Sequence, residues 1–177
     1  MSYCLWLFLF YGFLGFCLEK LFAHAVRSPR RVRKCFLLLP LCPVYGFAML
    51  AVLALHQKDF PFWVQVLTGG FICTAVEYFV HLFYDKLFRT RFWDYSDLSI
   101  HLHGRVCPHF SLIWGILSTL AAWYVHPFLS FAAQAIPPWA SFAVWLLLIS
   151  DAVLTCSLLH RFHDTELLSV RALLSQE

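Results

Sequence analysis

The chain has 177 residues, 61% of them hydrophobic and only 13% charged, with a formal net charge of +3 and a mean hydropathy of +0.71. Soluble domains carry about 25% charge, so this composition excludes an ordinary soluble domain and predicts one membrane domain over residues 1–177. The small positive charge is sorted by side of the apolar runs and does not point to nucleic acid as a partner.

About 20 apolar residues cross the hydrocarbon core of a bilayer. The first run, 3–26, meets that length. Its first basic residue, Lys20, follows the apolar core, so the run reads as a membrane helix and not as a cleaved leader. Gly12, Gly15 and Glu19 are spaced by three and four and share one helical face. Small residues let membrane helices approach closely, so Glu19 is expected to face protein. A carboxylate in hydrocarbon costs roughly 2.5–3.5 kcal/mol on insertion scales. A basic linker, 27–35, follows.

The second run, 36–56, is expected to be the second span. Pro40 and Pro43 interrupt its entry, and Tyr45 and Gly46 follow. A helix that starts at Pro43 sets its free N–H groups near the level of Glu19 and attracts negative charge. An ordinary proline kink is the other reading.

The third run, 62–84, repeats the acidic pattern. Gly70, Cys73, Thr74, Glu77 and His81 form one stripe, and His81 is placed to hydrogen-bond Glu77 one turn away. Two matched carboxylates predict a polar site between helices. The linker 85–108 is long enough to be functional. Trp93 and Tyr95 suit an interface as anchors. Asp94 offers a partner for Arg91, Arg105 is expected to reach toward Glu19 and Glu77, and the segment 91–96 is expected to fold back over the site. His101, His103, Cys107 and His109 match no zinc spacing, so no metal and no cofactor are expected. The seven cysteines form no CxxC pair and read as small apolar packers.

The fourth run, 109–129, follows Pro108, which suits the first turn of a helix. The fifth, 139–159, carries Asp151 near its middle, as a structural tie or as a proton relay. Of the thirteen Lys and Arg residues only Lys58 falls on the opposite side from the rest. That asymmetry predicts an N-terminus outside and a C-terminus inside. The expected fold is an all-α integral membrane bundle of five helices. The stretch Gly12 to Glu19 resembles Gly70 to Glu77, and each is followed by a basic linker and a Cys-Pro pair, Cys42-Pro43 and Cys107-Pro108. This predicts a parallel two-plus-two helix repeat with a fifth helix added.

No G-x-x-x-x-G-K-[ST], H-E-x-x-H or G-x-S-x-G motif occurs. The run from Tyr11 through Gly15 to Glu19 comes first, then Pro40, Pro43, Tyr45 and Gly46, then Glu77-Tyr78. Arg91-Phe-Trp-Asp-Tyr-Ser96, Gly104-Arg105-Val-Cys107 and Ser111-Leu-Ile-Trp114-Gly115 complete the set. In that order they resemble the bacterial ABC-transporter permease family of the CmpB-like, type IV kind, over residues 3–129. Phe16 stands where that family usually has Trp, and His101 where it usually has Asn. The resemblance implies a multi-pass protein of the bacterial cytoplasmic membrane, surrounded by membrane lipids, with a separate ATPase subunit and a homo-oligomer as expected partners. Two function classes stay open. One is a permease-like subunit with a polar site in the inner half of the bundle. The other is a lipid-binding protein or membrane-embedded enzyme whose site opens to the inner leaflet.

Overall fold

The computed structural model describes residues 2–25, 35–55 and 60–162. The described residues form five helices and no strand: α1 (Ser2–Ala25), α2 (Pro43–Leu55), α3 (Phe62–Phe88), α4 (Pro108–Ala135) and α5 (Pro138–Phe162). Four of them, all but α2, are long and apolar enough to cross a membrane. The basic residues of linker 27–34, Lys58 and the segment after Phe162 lie outside the described residues, and with them most of the expected sidedness.

The second apolar run starts its helix at Pro43, the broken-entry reading, and departs from expectation in length. Of its described residues only Pro43–Leu55, 13 residues, is helical. At 1.5 Å per residue that is about 20 Å, short of the ~30 Å hydrocarbon core. Pro40 and Pro43 lack the N–H groups a helix needs and push the residues before them toward extended backbone. Residues 35–42 therefore enter the bundle without helical hydrogen bonds. Their amides find other acceptors: Leu38 and Leu39 donate to the two carboxylate oxygens of Asp151 at 3.2 Å each, and Cys42 donates to the Gly12 carbonyl at 2.9 Å. Where lipid offers no acceptor, such partners are obligatory. Within the same segment the buried Cys35 thiol lies 2.6 Å from that of Cys42.

The third, fourth and fifth runs are longer as helices than as apolar stretches. α3 continues to Phe88 and closes on Arg89, whose left-handed backbone (φ 53°) returns its N–H to the Asp85 carbonyl. α4 starts on Pro108 and carries a wide π turn at Ala121–Val125. Pro127 accounts for that turn, because its ring clashes with the carbonyl four residues back and leaves it without a donor. Only Ile136 and Pro137 separate α4 from α5.

α1 packs on α2, α2 on α3, and α3 on the first half of α4, while the second half of α4 returns to α1. The tightest seam is α3 against α4. A Cβ on Gly115 would collide with the Val66 carbonyl, and one on Gly70 would lie 2.8 Å from the Ser111 carbonyl. Only glycines permit that backbone contact. α5 packs outside this ring. Its buried Ser141, Leu148 and Thr155 recur every seven residues, and Leu159 ends the stripe against Tyr84, Phe88 and Phe92. The outer surface is apolar; Phe71 is 77% and Phe131 79% exposed. Surfaces of that kind mark contact with lipid or protein, not water.

Candidate functional site

Glu19 lies one turn past Gly15 on α1. The ring of Tyr45 occupies the space where a side chain at position 15 would sit. That close approach lets the Tyr45 hydroxyl donate to Glu19 Oε1 at 2.9 Å. Tyr45 holds this place because α2 begins at Pro43, which puts it in the first turn.

Glu77 is buried on α3, and its Oε1 accepts the Tyr95 hydroxyl at 3.0 Å. Tyr95 comes from the linker between α3 and α4. Burial first, and then the Glu77 carboxylate, push the Tyr95 phenol well above its usual range, so it remains a donor. An aromatic series joins the two acidic residues. Tyr95 stacks on Phe110 (5.2 Å), Phe110 on Trp114 (6.3 Å), and Trp114 meets Tyr45 edge-on (5.4 Å, 90°).

Between them lies a cavity of about 570 Å³. Glu19, Glu77, Tyr45, Tyr95, Trp93 and Trp114 line it, with Leu14, Leu18, Ala48, Met49 and Cys73. α4 adds Leu117, Leu120 and Tyr124. Its size falls in the ~300–1,000 Å³ range of small-molecule sites, and its walls are apolar apart from a few convergent polar groups. Among the described residues no Lys, Arg or His lines it.

The linker folds onto α3 and forms one wall. Trp93 and Tyr95, expected as interface anchors, both face the cavity. The Trp93 indole N–H donates to the Arg105 carbonyl at 3.0 Å, and Tyr95 N–H to the Gly104 carbonyl at 2.8 Å. Asp94 pairs with Arg91 at 3.1 Å and accepts both the amide and the hydroxyl of Ser96. Those two bonds, with Arg91 behind them, hold the Asp94 carboxyl below the usual carboxylate range. His101 Nδ1 accepts the Gly104 amide at 2.9 Å, a side-chain-to-backbone bond that an asparagine oxygen also makes.

Other expected residues find different partners. The ion pair of Arg105 is with Asp85, at 2.8 Å, and its second contact is the Tyr78 hydroxyl at 3.3 Å. Asp85 closes the last turn of α3, on the linker side of both glutamates. His81 was expected to bond Glu77; instead its Nε2 lies 3.0 Å from the Trp93 carbonyl and its ring meets the Trp93 indole edge-on at 5.1 Å. It therefore braces the cavity wall from behind. Asp151 lies outside the cavity and ties the 35–42 segment, as its hydrogen bonds show. Gly46 packs against Phe8, and Pro108 opens α4. His103 Nδ1 lies 3.2 Å from the Tyr78 hydroxyl, and no group of three or more metal-ligating side chains occurs among the described residues.

Sequence reasoning missed Trp114 and the tyrosine partners of both glutamates. The Tyr45 bond leaves one trace, the glycine at position 15. The Tyr95 bond leaves none, since 18 residues and a helix end separate it from Glu77.

Neither the curated proteins nor the solved structures contain a match to this chain. A family comparison does match, over residues 6–158, which takes in most or all of each of the five helices and every described cavity-lining residue. The chain belongs to the family described as "Putative ABC-transporter type IV".

Proposed function

We propose that this is a permease-like transport subunit of the bacterial cytoplasmic membrane, which holds its ligand in the cavity between α1, α2, α3 and α4. The supporting observation is that Glu19 and Glu77, from two different helices, both line that one cavity. Each carries a tyrosine hydroxyl that fixes its orientation. Buried carboxylates in membrane spans mark substrate or proton paths. The basic asymmetry of the sequence puts the cavity's acidic end in the inner half of the bundle, with the N-terminus outside. The chain has no nucleotide-binding loop of its own, so an ABC-type cycle requires a separate ATPase subunit.

One observation favours a second reading. Leu14 on α1 and Leu117, Leu120 and Tyr124 on α4 line the cavity and are also exposed on the apolar outer surface. A cavity edged in this way takes its ligand from the bilayer, as a lipid-binding protein or a membrane-embedded enzyme does.

Native mass spectrometry of the full chain, purified in mild detergent, tests both. The transport reading expects a retained small molecule that Ala48→Phe expels, together with a partner chain bearing a nucleotide-binding loop. A retained molecule without that partner supports the second reading. An empty wild-type protein, unchanged by Ala48→Phe, overturns the cavity as the ligand site.

A further inference from the structure

We propose that Cys35 and Cys42 are an oxidisable pair, whose disulfide fixes the non-helical entry to α2 and with it the Tyr45 side of the cavity.

The two cysteines stand seven positions apart, and their sulfurs lie 2.6 Å from each other. Seven residues rise about 10 Å in an α-helix and about 23 Å in a strand. Neither regular form brings the sulfurs together. The prolines that deny residues 35–42 a helix are what allow the contact. The chain doubles back at Pro40, where the Leu41 amide donates to the Leu39 carbonyl at 2.7 Å. Anchors hold this turn in place: Leu38 and Leu39 donate to Asp151, and the Cys42 amide to the Gly12 carbonyl. A disulfide needs its sulfurs at about 2.05 Å, so bond formation asks for little further approach.

The oxidant is a hydroperoxide, of which hydrogen peroxide is the simplest. One thiol sulfur attacks a peroxide oxygen, the O–O bond breaks, and the products are a sulfenic acid and water. The second thiol sulfur attacks the sulfenic sulfur. The S–S bond forms, and the hydroxyl leaves as water with the second thiol proton. In sum two thiols lose two protons and two electrons, and the peroxide becomes two waters. Both side chains are 2% exposed. Lone buried thiols react slowly and go no further than their surroundings allow. Here the surroundings of either sulfur include the other, so a sulfenic acid is captured where it forms.

The link reaches the cavity through the backbone. The Cys42 carbonyl accepts the Tyr45 amide at 3.1 Å, and Tyr45 holds Glu19. A covalent tie at Cys42 therefore acts on the Glu19 side. Glu77 is held by Tyr95 from the other linker, outside its reach.

The test uses the full chain in mild detergent, reduced and then freed of reductant. Hydrogen peroxide is raised until the exposed Cys4 and Cys17 have reacted. The protein is then denatured, blocked with N-ethylmaleimide and cleaved with trypsin. The tryptic peptide 35–58 carries Cys35 and Cys42 and no other cysteine. Before oxidation it is expected to take two maleimides. Afterwards it is expected to take none and to be two hydrogens lighter, at least about tenfold sooner than the buried Cys73 and Cys107 lose theirs. In Cys35→Ser, Cys42 is expected to keep its maleimide under the same treatment. Hydrogen exchange in 35–42 is expected to slow about tenfold on oxidation of wild type, with 89–107 unchanged. The pair is refuted if peptide 35–58 keeps both maleimides once Cys4 and Cys17 have reacted, or if Cys35 or Cys42 is found joined to another cysteine. Unchanged exchange in 35–42 of the oxidised protein refutes the fixing of the entry. Both measurements on wild type decide the matter even if Cys35→Ser fails to fold.

Discussion

The two helix pairs present the same parts and hold them in opposite ways. In α1–α2 the acidic residue is locked by a helix: Gly15 admits the Tyr45 ring, and Tyr45 reaches Glu19. In α3–α4 the acidic residue is held by a loop: Tyr95 descends from the linker onto Glu77. The connecting segments differ in the same sense. The linker 89–107 satisfies its amides largely within itself and on α3, through Asp94, His101 and Gly104. Segment 35–42 borrows its acceptors from α1 and α5. One half of the site is therefore rigid through packing, and the other is as stable as its loop.

The largest expected effect comes from Gly15→Leu. A leucine there displaces the Tyr45 ring, and overpacking of this kind costs about 3 kcal/mol or more. The corresponding change in the second half, Cys73→Leu, is expected to cost clearly less, because Cys73 borders the cavity and has space to extend into. Denaturation of the purified proteins by titration with sodium dodecyl sulfate measures both. Equal losses would erase the distinction between the two halves.

Asp151→Ala comes next. It strips two amides of their acceptor, which costs about 2–3 kcal/mol. Hydrogen exchange is expected to speed up in 35–42 and to stay unchanged in 89–107. Acceleration in both segments would show that the linker also leans on α5.

The tyrosines discriminate more finely. Tyr45→Phe and Tyr95→Phe each remove one hydroxyl from a carboxylate, worth about 1–2 kcal/mol. Their local consequences are expected to differ: Tyr95→Phe loosens the linker and raises its exchange, while Tyr45→Phe leaves α2 protected because packing against Gly15 and Trp114 still holds the ring. Protection lost equally in both variants would overturn the contrast between helix and loop.

The smallest effect is a pH dependence of the linker. The Asp94 carboxyl is held below its usual range by Ser96 and Arg91, so its contribution is present above the ordinary carboxylate pKa and is lost as pH falls through the lowered folded value. Trp93 fluorescence is expected to report loosening only in acid, and Ser96→Ala is expected to move that loosening to higher pH. Asp94 is partly exposed, so global stability should barely change.

Four of the helices were legible because lipid demands long apolar runs, and the runs were there to count. The span 36–56 was drawn too long because hydropathy registers side chains and not backbone: Phe36, Leu37, Leu38 and Leu39 are apolar, yet Pro40 and Pro43 deny them a helix, which is the broken entry that the two prolines offered beside a kink. The meeting of Glu19 and Glu77 at one cavity was approachable from their small-residue faces. The partner of Arg105 was not, since Asp85 looked like the end of a span and not like a ligand for a guanidinium 20 residues away. Asp151 was visible as an anomaly, but its partners are backbone amides, and a backbone amide leaves no signature in the choice of amino acid.

The Asp151 tie also orders biogenesis. Segment 35–42 is synthesised before its acceptor, which is carried on α5, the last of the described helices. Until α5 docks, the Leu38 and Leu39 amides lack the carboxylate they bond in the finished arrangement. The entry to α2, and with it the position of Tyr45 against Glu19, can mature only after translation has passed residue 151. The half of the site made first is completed last, so a ribosome stalled within α5 would leave an inserted chain whose oldest helices are still unfinished.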